Sequence, residues 1–324
     1  MSNTTGYATA VAAVRALESS LLSKSDIDRL TAASKKSEIA DILTGSGKYT
    51  LPDGESIGEF IDSELERVWN FISGYAPGDK ALSILLYRND FHNLKAALKA
   101  LIMNSEPQRY FITPTNLDLG ELCATVTARD FGSLPEYMSE AAEKTYGILT
   151  ETLDGQLADA CVDCAAMRAM QLSAEEAGSG FMKKYAALIT VGSDIKTAYR
   201  CSRMNKSALF AESAICGSTE LDKASLVNAS LRGTESFLSW LSSTAYAEAA
   251  EKLSESTASF EKYCDDMIIS LAEEAKLKAF GVEPLAAYFI AKETEIKNLR
   301  ILVTCKEFGA DNDIITERMR KLYV

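Results

Sequence analysis

Residues 283–304 read Glu283-Pro-Leu-Ala-Ala-Tyr-Phe-Ile-Ala-Lys-Glu-Thr-Glu-Ile-Lys-Asn-Leu-Arg-Ile-Leu-Val-Thr304, and the chain closes on Ile314-Ile-Thr-Glu-Arg-Met-Arg-Lys-Leu-Tyr-Val324. Pro284 is the last of six prolines, and none lies between Pro135 and Pro284. Ala, Glu, Lys, Leu and Ser fill the space between, a composition that fits long helices. Further upstream, Tyr7, Val11, Val14, Leu17 and Leu21 recur at spacings of four, three, three and four, which places them on one helical stripe. Ser25-Asp26-Ile27-Asp28 then predicts a new helix start with an acidic first turn. Ile57, Phe60, Ile61, Leu65, Val68, Trp69 and Ile72 form a wider stripe, ended by Gly74 and Pro77. The one β-prone run, Tyr110-Phe-Ile-Thr before Pro114, reads equally as an extended linker. The expected fold class is all-α. Breaks at 104–116 and 205–220 divide the chain into three helical lobes, 1–105, 106–207 and 208–324.

Composition bounds the function. A chain of 324 residues exceeds what one core usually serves, and 47% hydrophobic with 25% charged residues describes a globular protein that folds unaided. Against 34 Lys+Arg stand 46 Asp+Glu, and the net charge of -12 opposes binding to nucleic acid or to an anionic bilayer. A basic protein partner fits that charge, and so does solubility alone. No apolar run reaches the length of a membrane span, and the start lacks a basic segment followed by an apolar one. A cytoplasmic protein is expected, with no direct bilayer insertion.

Seven cysteines make an odd set, so reduced, mostly buried thiols are expected rather than a disulfide framework. Cys161-Val-Asp-Cys164 has the spacing of half a zinc site, but no second Cys/His pair exists and its neighbours read as a helix interior. His92, the only histidine, has no nucleophile or orienting carboxylate patterned beside it, and reads as structural. Gly45-Ser-Gly47-Lys48 lacks the spacing of a nucleotide loop. Trp69 and Trp240 read as core. No catalytic residue, cofactor or metal site is expected.

One short pattern recurs: an acid, an apolar residue, His or Lys, a polar residue, then a helical run with basic groups. It is Asp90-Phe91-His92-Asn93-Leu94-Lys95 in the first lobe and Glu295-Ile296-Lys297-Asn298-Leu299-Arg300 in the third. The middle copy, Asp194-Ile195-Lys196-Thr197-Ala198-Tyr199, departs from it, with Thr197 for the Asn and Tyr199 for the basic residue. Tyr87, Tyr185 and Tyr288 stand upstream of the three copies. The acid suits the head of a helix, where it accepts first-turn N–H bonds. Glu293 and Lys297 have the favourable spacing for an exposed pair worth about 0.3–0.5 kcal/mol. Asp90, Asn93, Glu295, Asn298 and Arg300 read either as ties within each lobe or as contacts to a partner. Arg318, Arg320 and Lys321 are expected in a last helical turn or two, and Leu322-Tyr323-Val324 in a docked terminus.

The stretch from Glu283 and Pro284 to the C-terminus resembles the C-terminal signature of the C-type subunit of the archaeal and bacterial V/A-type ATPases, whose eukaryotic counterpart is the d-type subunit. Asp90-Phe-His-Asn-Leu-Lys95 resembles that family's Asp-Tyr-His-Asn-Leu-Lys segment, and a third resemblance lies near the start, in the run from Tyr7 to Leu22. The resemblance implies a funnel of three homologous helical lobes in a pseudo-threefold arrangement. It further implies a non-catalytic subunit, one copy per complex, between the central shaft subunits (D and F type) and the membrane rotor ring, peripheral at the cytoplasmic face. A helical scaffold or adaptor unrelated to a rotary motor is the alternative.

Overall fold

A computed structural model describes residues 4–52, 55–76 and 78–324, and Pro77, the expected helix stop, lies outside them. The chain is all-α, with no strand among the described residues. The first helices are α1 (Thr4–Glu18), α2 (Lys24–Ala32), α3 (Lys36–Gly45), α4 (Ile57–Tyr75) and α5 (Lys80–Ser83). Then come α6 (Tyr87–Met103), α7 (Leu119–Ala128), α8 (Glu136–Glu151), α9 (Gly155–Ala177) and α10 (Gly180–Met204). The remainder are α11 (Ala208–Ala214), α12 (Lys223–Ser230), α13 (Thr234–Ser242), α14 (Ala247–Glu255), α15 (Thr257–Glu274), α16 (Glu283–Glu307) and α17 (Asn312–Arg318).

Local chemistry sets the ends. Ser23 and Ser56 cap α2 and α4 with reciprocal capping boxes to Asp26 and Glu59, which moves the start of α2 two residues ahead of the expected Ser25. The deciding factor is reach: only from Ser23 does the hydroxyl meet the Asp26 amide while Asp26 answers to the Ser23 amide. α6 and α10 each stop at an asparagine in the left-handed conformation, Asn104 (φ 50°) and Asn205 (φ 48°), at the two expected breaks. Pro284 in the first turn of α16 occupies a position where a missing N–H costs nothing.

The described chain forms two compact units, one of Met1–Leu82 with Ala258–Val324 and one of Ser83–Thr257. In the first, α16 is buried on nearly every side, apolar and polar positions alike, as expected of a helix at the centre of its unit. Ile296, Leu299, Leu302 and Val303 pack in one core with Leu30, Ile39, Leu43, Phe60 and Ile61 from α2, α3 and α4. Trp69 meets Phe289 edge to face at 5.3 Å. In the second unit, α9 packs between α6, α8 and α10, with Phe91, Leu94 and Leu98 of α6 and Met167 and Met170 of α9 buried. Trp240 lies half-buried beside Phe237.

Candidate functional site

The three copies of the motif fall on the long helices α6, α10 and α16. On α6, Asp90 and Asn93 are fully buried one turn apart. The Asn93 carboxamide donates to the Ile112 carbonyl and accepts from the Ile112 amide, both at 2.9 Å, so a single side chain pairs with the backbone as a neighbouring strand would. Asp90 Oδ1 accepts from Thr115 Oγ1 at 2.5 Å and from the Asn116 amide at 2.8 Å. Its Oδ2 accepts from Asn116 Nδ2 at 2.7 Å and from the Tyr137 hydroxyl at 3.0 Å. His92 Nε2 stands 3.0 Å from the Tyr110 carbonyl. The segment 110–116 is thereby laid along α6, and the β-prone run has its backbone partner in a side chain, not in a strand.

α16 repeats the arrangement in its own unit. The Asn298 carboxamide donates to the Arg320 carbonyl at 3.2 Å and accepts from the Arg320 amide at 2.8 Å. One turn earlier Glu295, also buried, accepts from the Leu22 amide and the Tyr49 hydroxyl. Lys292, 3% exposed, reaches Glu295 Oε1 at 2.8 Å and the Tyr49 oxygen at 3.0 Å. Its ammonium lies over the Tyr49 ring, 4.3 Å from the centroid. Glu64 stands 3.9 Å from Lys292 as a second carboxylate.

On α10 the acid makes the tie without an asparagine one turn on. Asp194 Oδ1 accepts from the Cys216 amide at 2.7 Å and Oδ2 from the Gly217 amide at 2.8 Å. Gly217 at φ +91° turns its N–H alongside that of Cys216, a conformation that a side chain would strain. Thr197 stands where the other copies carry asparagine, half-buried and with no carboxamide to offer.

The electrostatics follow from burial. Removal from water pushes the Asp90 and Asp194 carboxyls up, against the hydrogen bonds that favour their charged forms. Burial, and then the carboxylate each one faces, pushes the Tyr49 and Tyr137 hydroxyls well up, so both remain donors. Burial pushes Glu64 up despite Lys292 and Arg67. The oxygens of Asp90, Asp194 and Glu295 are engaged by donors within their own unit. Chemically the arrangement ties backbone to helix; it does not present a base to a ligand.

The remaining sequence-predicted residues are dispersed. The Tyr7 hydroxyl donates to Asp79, and burial and that carboxylate push it up. Lys95 pairs with Asp163 of α9 at 2.7 Å, and Arg300 with Asp62 at 3.0 Å. Glu283 opens α16, half-buried, ahead of the buried Pro284. Tyr288 is buried against Glu295 and the Ser20 side chain.

Three expectations are corrected. Only Asp90 lies in the first turn of its helix, and it binds the Asn116 amide of another segment; Glu295 and Asp194 lie mid-helix, where first-turn N–H groups are out of reach, and they too bind amides from other segments. Lys297 pairs with Asp265 at 2.7 Å and not with Glu293, which stays half-buried. The tail is helical only to Arg318, because the Asn298 tie holds Arg320 in an extended segment. From there Arg320 Nε meets Asp265 at 2.8 Å and Lys321 Nζ meets Glu273 at 2.6 Å. Tyr323 is buried, its hydroxyl 2.9 Å from Glu18 and its ring under Lys276 at 4.5 Å.

Sequence reasoning missed Lys292, Tyr49 and Tyr137. Lys292 had a signal: a lone cation flanked by Ala291 and the apolar run before it, one turn from Glu295. The two tyrosines, in each case dozens of residues from their acid, had none.

Comparison with known proteins matches the model of the ATP synthase (C/AC39) subunit family to residues 10–318 of this chain. The C-type subunit of the V-type sodium ATPase of Enterococcus hirae is 24% identical to it over 318 residues, covering 96% of this chain and 97% of that protein.

Proposed function

The chain belongs to the ATP synthase (C/AC39) subunit family, and from that premise we propose that it is the central-stalk coupler of a V/A-type rotary ATPase. It is a non-catalytic subunit at the cytoplasmic face, one copy per complex, gripping the D- and F-type shaft subunits and the membrane rotor ring. Rotation driven by ATP hydrolysis reaches the ring through it, and torque returns by the same route in synthesis. Its three lobes, 1–105, 106–207 and 208–324, form a funnel about a pseudo-threefold axis.

The observation that carries this reading is the recurrence of one buried tie on three long helices. Asp90, Asp194 and Glu295 stand about a hundred residues apart, each holding a later or distant backbone segment against its helix. A coupler needs stiffness, and close-packed helices with their loops fastened to them resist deformation. No described helix is long and apolar enough to cross a membrane, which suits a part held there by other subunits. The net charge of -12 suits a basic face on the shaft or ring. The test is retention of purified D- and F-type shaft subunits by the immobilised chain across a salt series. Specific retention that weakens as salt rises is expected; absence of retention, or affinity indifferent to salt, contradicts the proposed grip.

A further inference from the structure

In the second unit, Cys164 of α9 and Cys216 of the loop after α11 bring their sulfurs to 2.6 Å across 52 residues of sequence. A disulfide bond is about 2.05 Å long, so bonding asks the two sulfurs to close by roughly half an ångström. Both thiols are buried, and the backbone on each side is held. Cys164 lies inside the 23-residue helix α9, with its thiol 3.3 Å from the Ala214 carbonyl. The Asp194 carboxylate fixes the amides of Cys216 and Gly217. The Cys161-x-x-Cys164 spacing therefore misdirects: the neighbour of Cys164 is Cys216, which no local pattern pairs with it.

We propose that Cys164 and Cys216 are a modification site, a reversible disulfide that staples α9 to the loop which Asp194 holds. The oxidant is a low-molecular-weight disulfide such as oxidised glutathione. One cysteine thiolate attacks a sulfur of that disulfide and releases the first small thiolate. The second cysteine sulfur then attacks the mixed disulfide, forms the Cys164–Cys216 bond and releases the second small thiolate. Two cysteine sulfurs are oxidised, the small disulfide is reduced to two thiols, and the two cysteine protons end on those thiols. The Cys164 thiol, burial and Asp194 push the Cys216 thiol up, so the pair reacts slowly and during local opening of the loop. The closed bond persists once formed, because its partners are already adjacent.

The test exposes the native full-length chain to oxidised glutathione, alkylates the remaining thiols and maps peptides by mass spectrometry without reduction. The expected map shows a Cys164–Cys216 link with no glutathione on either residue, while the half-exposed Cys123, Cys161 and Cys264 take adducts. Dithiothreitol restores both thiols, and the linked form melts at a higher temperature than the reduced form, a difference absent from Cys216→Ser. Recovery of Cys164 and Cys216 as alkylated free thiols after the half-exposed cysteines have reacted overturns the proposal. So does recovery as two separate glutathione adducts or as links to other cysteines. Should Cys216→Ser fail to fold, the map of the unaltered chain decides alone.

Discussion

Asn298 meets Arg320 through both ends of one carboxamide, so deleting that group strands a backbone donor and a backbone acceptor together. Asn298→Ala is expected to destabilise the protein by about 1–3 kcal/mol, read from urea unfolding, because it leaves two part-buried backbone groups without their partner. A loss within about 0.5 kcal/mol would remove the tie from the account. Glu295→Ala should cost about 3–5 kcal/mol, since it leaves Lys292 charged and buried. Combining it with Lys292→Met should recover part of that loss, and additive losses would show that the two are not a pair.

Asp26 gives a pH test at the same scale. Partial burial raises its carboxyl, but Lys48 Nζ at 2.7 Å and the hydroxyl and amide of Ser23 outweigh that and bring it down to about 2. A lowered folded-state value means that the stabilisation is present above the ordinary carboxylate pKa of about 3.9. It disappears as the pH falls through about 2. The stability gap between the unaltered protein and Asp26→Asn is therefore expected to close across that interval, and a constant gap would contradict the assignment.

At the scale of elements, each clamp converts a loop into part of its helix. Asn93→Ala should speed hydrogen exchange at the Ile112 amide well beyond any change in global stability, while α9 and α10 stay protected. Uniform acceleration across the second unit would make Asn93 ordinary core. Much of this level was legible in the sequence: the stripe from Ile57 to Ile72 is α4, and the breaks near Asn104 and Asn205 are helix stops, because periodicity and left-handed asparagine act locally. The motif itself was legible as a pattern, and its chemistry was not. Which backbone Asp90 or Glu295 would grasp depends on pairing to Asn116 or Leu22, and no local propensity encodes that choice. The tail failed for the same reason: Arg320 and Lys321 look like a helix end until Asn298 and Asp265 compete for Arg320, and Asp266 and Glu273 for Lys321.

For the whole molecule, the proposed coupling role makes no reactive group responsible for function, so activity should follow stiffness and fit. The same logic explains why the aromatic, acidic and basic residues singled out by the sequence are mostly engaged within their own units. The most direct measurement reconstitutes the rotary ATPase into vesicles with and without this chain, recording ATP hydrolysis and ion uptake together. Without the chain, hydrolysis by the head should continue while ATP-driven ion uptake is abolished, and adding the chain back should restore uptake. Ion uptake that persists in its absence, or hydrolysis that stops with it, would contradict the account.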